Sequence, residues 1–125
     1  VSGTITGMGA GQVSINGSTS FDLAADTVFN FPTGQLVFQN SAAIHGPGTL
    51  TNAGFIQGSP VLTTKVLNTG TFAATGTATF SGVNAELRIL AGSKLETAGV
   101  NLTGDPTSKG LIVESGGQLV SEGTI

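Results

Sequence analysis

The sequence has no cysteine, no tryptophan and no tyrosine, and only one methionine and one histidine. Without thiols there is no disulfide scaffold and no thiolate metal site. His45 alone cannot supply a multi-histidine metal centre, and beside Gly46-Pro47 it reads as a turn residue. Charge is scarce: four Lys or Arg against seven Asp or Glu give a net charge of −3. The four cations, Lys65, Arg88, Lys94 and Lys109, are scattered and cannot form a surface that tracks phosphates. No nucleic-acid partner is expected. No apolar run approaches the ~20 residues that a membrane-spanning helix needs, so no transmembrane segment is expected. The chain opens on Val1 with no signal-peptide pattern, which suggests a processed mature protein or a trimmed piece of a longer one.

Glycine is plentiful, at 20 of 125 residues. Disorder is the usual reading of such a composition, but disordered chains combine low hydropathy with high net charge, and this chain has neither. One ordered domain over residues 1–125 is expected.

Short segments alternate apolar and polar residues. Val13 and Ile15 flank Ser14, Phe21 and Leu23 flank Asp22, and Leu87 and Ile89 flank Arg88. From Phe72 to Phe80 the even positions are Phe, Ala, Gly, Ala and Phe. This period of two marks strands with one buried face, so the chain is all-β. Val61–Asn68 reads as one strand. Pro32-Thr33-Gly34, His45-Gly46-Pro47-Gly48 and the insertion Gly104–Lys109 read as turns.

The segments repeat. Gly48-Thr49-Leu50, Gly70-Thr71-Phe72 and Gly92-Ser93-Lys94-Leu95 begin 22 residues apart, and weaker copies start at Gly11, Gly34 and Gly117. A repeat of this length built from short strands predicts a parallel β-helix, or β-solenoid, of about five coils. Glycine would supply positive φ at the corners, and Asn52 and Asn68 look like corner residues beside it. An antiparallel β-sandwich would show the same alternation and stays open as the alternative.

At Gly48–Ile56 and Val66–Phe72 the rhythm is Leu-x-Asn-x-Gly-x-apolar, with Val66 leading the second copy. It resembles the β-helical repeats of bacterial surface adhesins, autotransporter passengers and filamentous-haemagglutinin-like exoproteins. The resemblance implies an extracellular, right-handed parallel β-helix with an adhesive or structural role.

No catalytic constellation stands out, and neither enzymatic activity nor a cofactor or metal is expected. A glycosidase needs two carboxyl groups roughly 5–9.5 Å apart. The candidate pairs are Asp22 with Asp26 and Glu96 with Glu122, and no aromatic cluster adjoins them. Glu86, Arg88, Lys109 and Glu114 read as weak ion pairs across coils. Asn16-Gly17-Ser18 and Asn101-Leu102-Thr103 match the N-glycosylation sequon.

The segments Val1-Ser2-Gly3-Thr4-Ile5 and Ser121-Glu122-Gly123-Thr124-Ile125 both stay in strand pattern, with no amphipathic helix at either. Uncovered solenoid ends expose a row of backbone donors and acceptors. The expectation is a structural subunit of an extracellular, cell-surface filament, a homopolymer stacked head to tail through Val1, Ile5, Leu119, Val120 and Ile125. The alternative is an adhesin-like binding module that presents the Asp105–Lys109 loop, with Asp105 and Lys109 as contacts, to a glycan or surface receptor.

Overall fold

The computed structural model describes residues 1–39, 42–97 and 102–121. Ile125, Glu122 and Asn101, named above, lie outside the described residues. Among the described residues there are seventeen strands and no helix. In chain order they are β1 (Gly3–Thr6), β2 (Val13–Ile15), β3 (Ser20–Asp22), β4 (Thr27–Asn30), β5 (Leu36–Phe38), β6 (Ala43–His45), β7 (Leu50–Asn52), β8 (Phe55–Gly58), β9 (Val61–Leu62), β10 (Lys65–Asn68), β11 (Thr71–Ala74), β12 (Ala78–Phe80), β13 (Glu86–Ile89), β14 (Lys94–Thr97), β15 (Leu102–Gly104), β16 (Gly110–Val113) and β17 (Gln118–Ser121).

Each turn of the chain lays one strand in each of three sheets. The first sheet runs β1-β4-β7-β10-β13-β16, the second β2-β5-β8-β11-β14-β17, and the third β3-β6-β9-β12-β15. Every strand pair is parallel. The protein is therefore a β-solenoid of about five coils. The antiparallel sandwich is not supported, because it needs antiparallel neighbours.

Alternation within each strand sends one set of side chains inward, where equivalent positions stack into columns. In the second sheet the column is Val13, Leu36, Ile56, Phe72, Leu95 and Leu119. In the third it is Phe21, Ile44, Leu62 and Phe80, ending at Gly104. The first sheet contributes Thr27, Leu50, Val66, Leu87 and Leu111. The interior members of these columns form the buried core. Burying each such Leu, Ile or Phe stabilises the fold by roughly 1.5–3 kcal/mol.

The coils are less regular than a 22-residue period. In the first sheet the steps from Gly3 are 24 residues to Thr27, 23 to Leu50, 16 to Val66, 21 to Leu87 and 24 to Leu111. The 22-residue offset from Gly48 to Gly70 relates strands of different sheets, since Leu50 lies in the first and Phe72 in the second. The partner of Gly70 in the coil below is Gly54.

Two strand boundaries also differ from the sequence reading. Val61–Asn68 is two strands, β9 and β10, with a corner at Thr63-Thr64. No Gly, Pro or Asn marks that corner. Instead the Thr63 hydroxyl donates to Ile44 O (3.1 Å) and the Thr64 hydroxyl to Gly48 O (2.7 Å), so threonine–backbone bonds to the coil below hold the bend. His45 ends β6 rather than opening a turn, and its Nδ1 sits 2.9 Å from Thr63 Oγ1.

Candidate functional site

The two ends of the solenoid differ from its flanks. Among the described residues, six of the seven large exposed apolar side chains lie in the terminal coils. Val1, Met8 and Val13 are in the first coil and Val113, Leu119 and Val120 in the last, with Val83 as the exception. The second-sheet column explains why. Leu36, Ile56, Phe72 and Leu95 are at most 1% exposed, while its end members Val13 and Leu119 are 40% and 44% exposed. The end residues carry the same inward chemistry but have a coil on one side only among the described residues.

Strands β1, β2 and β3 are the edges at one end, and β15, β16 and β17 at the other. Natural edges are blunted by lysines, prolines or inward charges. In these six strands the only charged residue is Asp22, and none contains proline.

At the first end, Ile5, Ile15 and Phe21 pack against the core from below, one from each sheet. The Phe21 ring meets Phe29 edge-on at 5.1 Å between centroids. Beside them is a hollow of about 410 Å³ lined by Ile5, Gly7, Met8, Val13, Phe21 and Phe31, among others. Its rim is formed by two corner loops that brace each other. Gln35 Nε2 donates to Met8 O (3.4 Å) and Gly9 O (3.1 Å), and Gln12 Nε2 donates to Gly34 O (3.3 Å). Val1 sits at the neighbouring corner, where its amino group donates to Asp22 O and its carbonyl accepts from Ala24 N (3.0 Å).

At the other end, Leu111 packs against the core, and Val113 and Leu119 project from their inward columns. Val120 alternates with Leu119, so it stands on the outer face of the second sheet, in line with Glu96 and Ala73. The sequence-predicted end residues thus divide by direction. Ile5 and Leu119 belong to the core columns, Val1 lies at a corner, and Val120 faces sideways. Val13, Val113 and Phe21 were missed. Their alternation was visible, but only the register shows that they occupy terminal rungs.

The Asp105–Lys109 loop is an ordered turn. Asp105 Oδ1 accepts bonds from the Thr107 hydroxyl (2.7 Å) and the Thr107 amide (2.9 Å), which hold its carboxyl below the usual range. Lys109 Nζ lies 4.0 Å from Glu86 Oε2. Glu86 is buried, and its Oε1 accepts from Arg88 Nε at 2.6 Å. Arg88 Nη1 also reaches Glu114 Oε1 at 2.7 Å in the next coil. Hydrogen bonds to Glu114 and then Glu86 raise the guanidinium further above its ordinary pKa. Arg88–Glu114 and Lys109–Glu86 join neighbouring coils, as the sequence reading expects, whereas Arg88–Glu86 lies within β13.

The carboxylates proposed as pairs have separate engagements. Asp22 accepts from Ser20 Oγ (3.1 Å), Asp26 accepts from Thr49 N (2.9 Å), and Glu96 pairs with Lys94 (2.6 Å). Among the described residues no three His, Asp or Glu are grouped to hold a metal ion. No helix among them is long and apolar enough to cross a membrane. Compared with family models, with curated proteins and with solved structures, the chain gives no match.

Proposed function

We propose that this protein is a structural subunit of an extracellular filament in which copies stack head to tail through the ends of the solenoid. The observation that carries this reading is the column from Val13 to Leu119, buried at every interior rung and exposed at both ends. A second copy would cover the end residues as each coil covers the next within one chain. It would also pair backbone groups that the edge strands leave open. A contact between unlike ends does not close, so it propagates. The six edge strands carry a single charged residue, Asp22, to oppose it.

Electron microscopy and sedimentation across a range of concentrations test this. Unbranched filaments are expected from the native chain. Leu119→Asp should leave the circular dichroism of the monomer unchanged and abolish filaments, because it seats a carboxylate at the centre of the contact. Monomers at every concentration would overturn the proposal. Surface labelling of intact cells tests the extracellular placement.

The alternative of an adhesive module with Asp105 and Lys109 as ligand contacts draws less support. The Asp105 carboxylate is already taken up by Thr107 within its own turn.

A further inference from the structure

The outer face of the third sheet, on the flank of the rod, carries the only histidine of the chain. Alternation turns Phe21 and Ile44 toward the core. Asp22 and His45, the next residues of β3 and β6, therefore stand on the outer face, and both are exposed. The register sets them opposite each other. Parallel neighbours lie ~4.8 Å apart, and these two side chains leave the sheet on the same side.

The hydrogen bonds around the pair fix how the ring is protonated. His45 Nδ1 lies 2.9 Å from Thr63 Oγ1, in the next coil. A hydroxyl has one hydrogen, and that of Thr63 goes to Ile44 O (3.1 Å), which can only accept. The hydrogen between Nδ1 and Oγ1 then belongs to the ring. In the neutral imidazole this leaves Nε2 with a bare lone pair. On the other strand, Ser20 Oγ donates to Asp22 Oδ1 (3.1 Å) and steadies the carboxylate. Metal-binding histidines are held in this manner, by donating the second ring N–H to an oxygen.

We propose that Asp22 and His45 form a two-ligand chelate for a divalent transition-metal ion of the zinc class. The donors are His45 Nε2 and the Asp22 carboxylate. Zinc holds imidazole nitrogen and carboxylate oxygen at about 2.0–2.2 Å, so it needs two such donors roughly 3 Å apart. Side chains rooted ~4.8 Å apart on one face converge to that separation by rotamer choice alone. Two positions of a tetrahedral ion are left to water. No third His, Asp or Glu joins the pair among the described residues, so the ion is exchangeable rather than a structural zinc. A mixed nitrogen–oxygen pair selects against calcium and magnesium, which take oxygen shells. Asp22 and His45 are far apart in the chain and meet only through the register. The site is independent of the stacking reading.

Calorimetric titration of the untagged chain with zinc chloride tests this, against a background without thiols or other imidazoles. One ion per chain is expected, with no comparable binding of calcium chloride. His45→Ala should abolish the binding, and Asp22→Asn should weaken it by about tenfold or more. Both side chains are exposed, so circular dichroism of the variants should match the native chain. NMR of the native histidine ring gives an independent answer should a variant misfold. Before zinc, Nδ1 should carry the proton, and on adding zinc the Nε2 resonance should move most. A native chain that binds no zinc overturns the chelate. So does zinc held equally by His45→Ala, which is adventitious, an unchanged affinity in Asp22→Asn, or a ring protonated on Nε2.

Discussion

At two coil corners, Gly54 and Gly70, glycine serves close approach rather than backbone freedom. Gly54 and Gly70 have ordinary φ, and each lies against the backbone of the coil below. A Cβ on Gly70 would stand 2.1 Å from Gly54 O, and one on Gly54 would stand 2.3 Å from Phe31 O. Parallel strands cannot move apart locally without losing their ladder, so any side chain there strains the stack. Gly70→Ala should therefore destabilise by about 1–3 kcal/mol. Gly11 is the matched control, with ordinary φ and open space where a Cβ would stand. Gly11→Ala should leave stability within about 1 kcal/mol of the native value or slightly above it. Urea denaturation of the two variants separates the cases, and equal losses would remove close approach as the explanation. The sequence marked these glycines as corners but suggested positive φ, because a neighbour 16 to 24 residues away is invisible in a local motif.

At the scale of the element, β7 and β10 are joined inside the core by a pair of stacked asparagines. Asn52 Nδ2 donates to Asn68 Oδ1 (2.7 Å) and Thr71 O (2.9 Å), while Asn52 Oδ1 accepts from Gly54 N (3.3 Å). Asn68 Nδ2 donates to Gly70 O (3.1 Å) and Lys94 O (3.0 Å), tying in the coil above. Both residues are fully buried. Asn52→Ala would strip these partners from Asn68 Oδ1 and the Gly54 amide, for an expected loss of about 2–3 kcal/mol by chemical denaturation. Equal stability would mean that water replaces the amide. The ladder shows what was legible and what was not. Asn-x-Gly was recognisable as a corner with side chain to backbone bonding, and Gly54 N to Asn52 Oδ1 is such a bond. That Asn52 and Asn68 stack on each other depends on a 16-residue coil, which the assumed 22-residue period obscured. Strand identity survived because alternation is local. The Thr63-Thr64 corner did not, because it is made by hydroxyls bonding to another coil. For the ends, the apolar character of Ile5 and Leu119 was visible in the sequence, while the terminal rank of Val13 and Val113 needed the register.

For the whole molecule, each coil contacts chiefly its neighbours, so stability is a sum of stacked interfaces rather than one indivisible core. Amide exchange of the monomer should be slowest in β7 to β12, which have coils on both sides, and fastest in β1 to β3 and β16 to β17. Uniform protection would show that the rod opens only as a unit. The parallel sense of all the strands carries a further consequence. Such a rod has a direction, like an arrow, and its two tips are chemically different. Two copies meeting tip to like tip would have to pair antiparallel, against the ladder used everywhere else in the chain. Any assembly that extends the native ladder is thus polar, with a fast and a slow end. A copy damaged at one tip alone would join and then stop growth, so a small fraction of such copies would set the length of the rest.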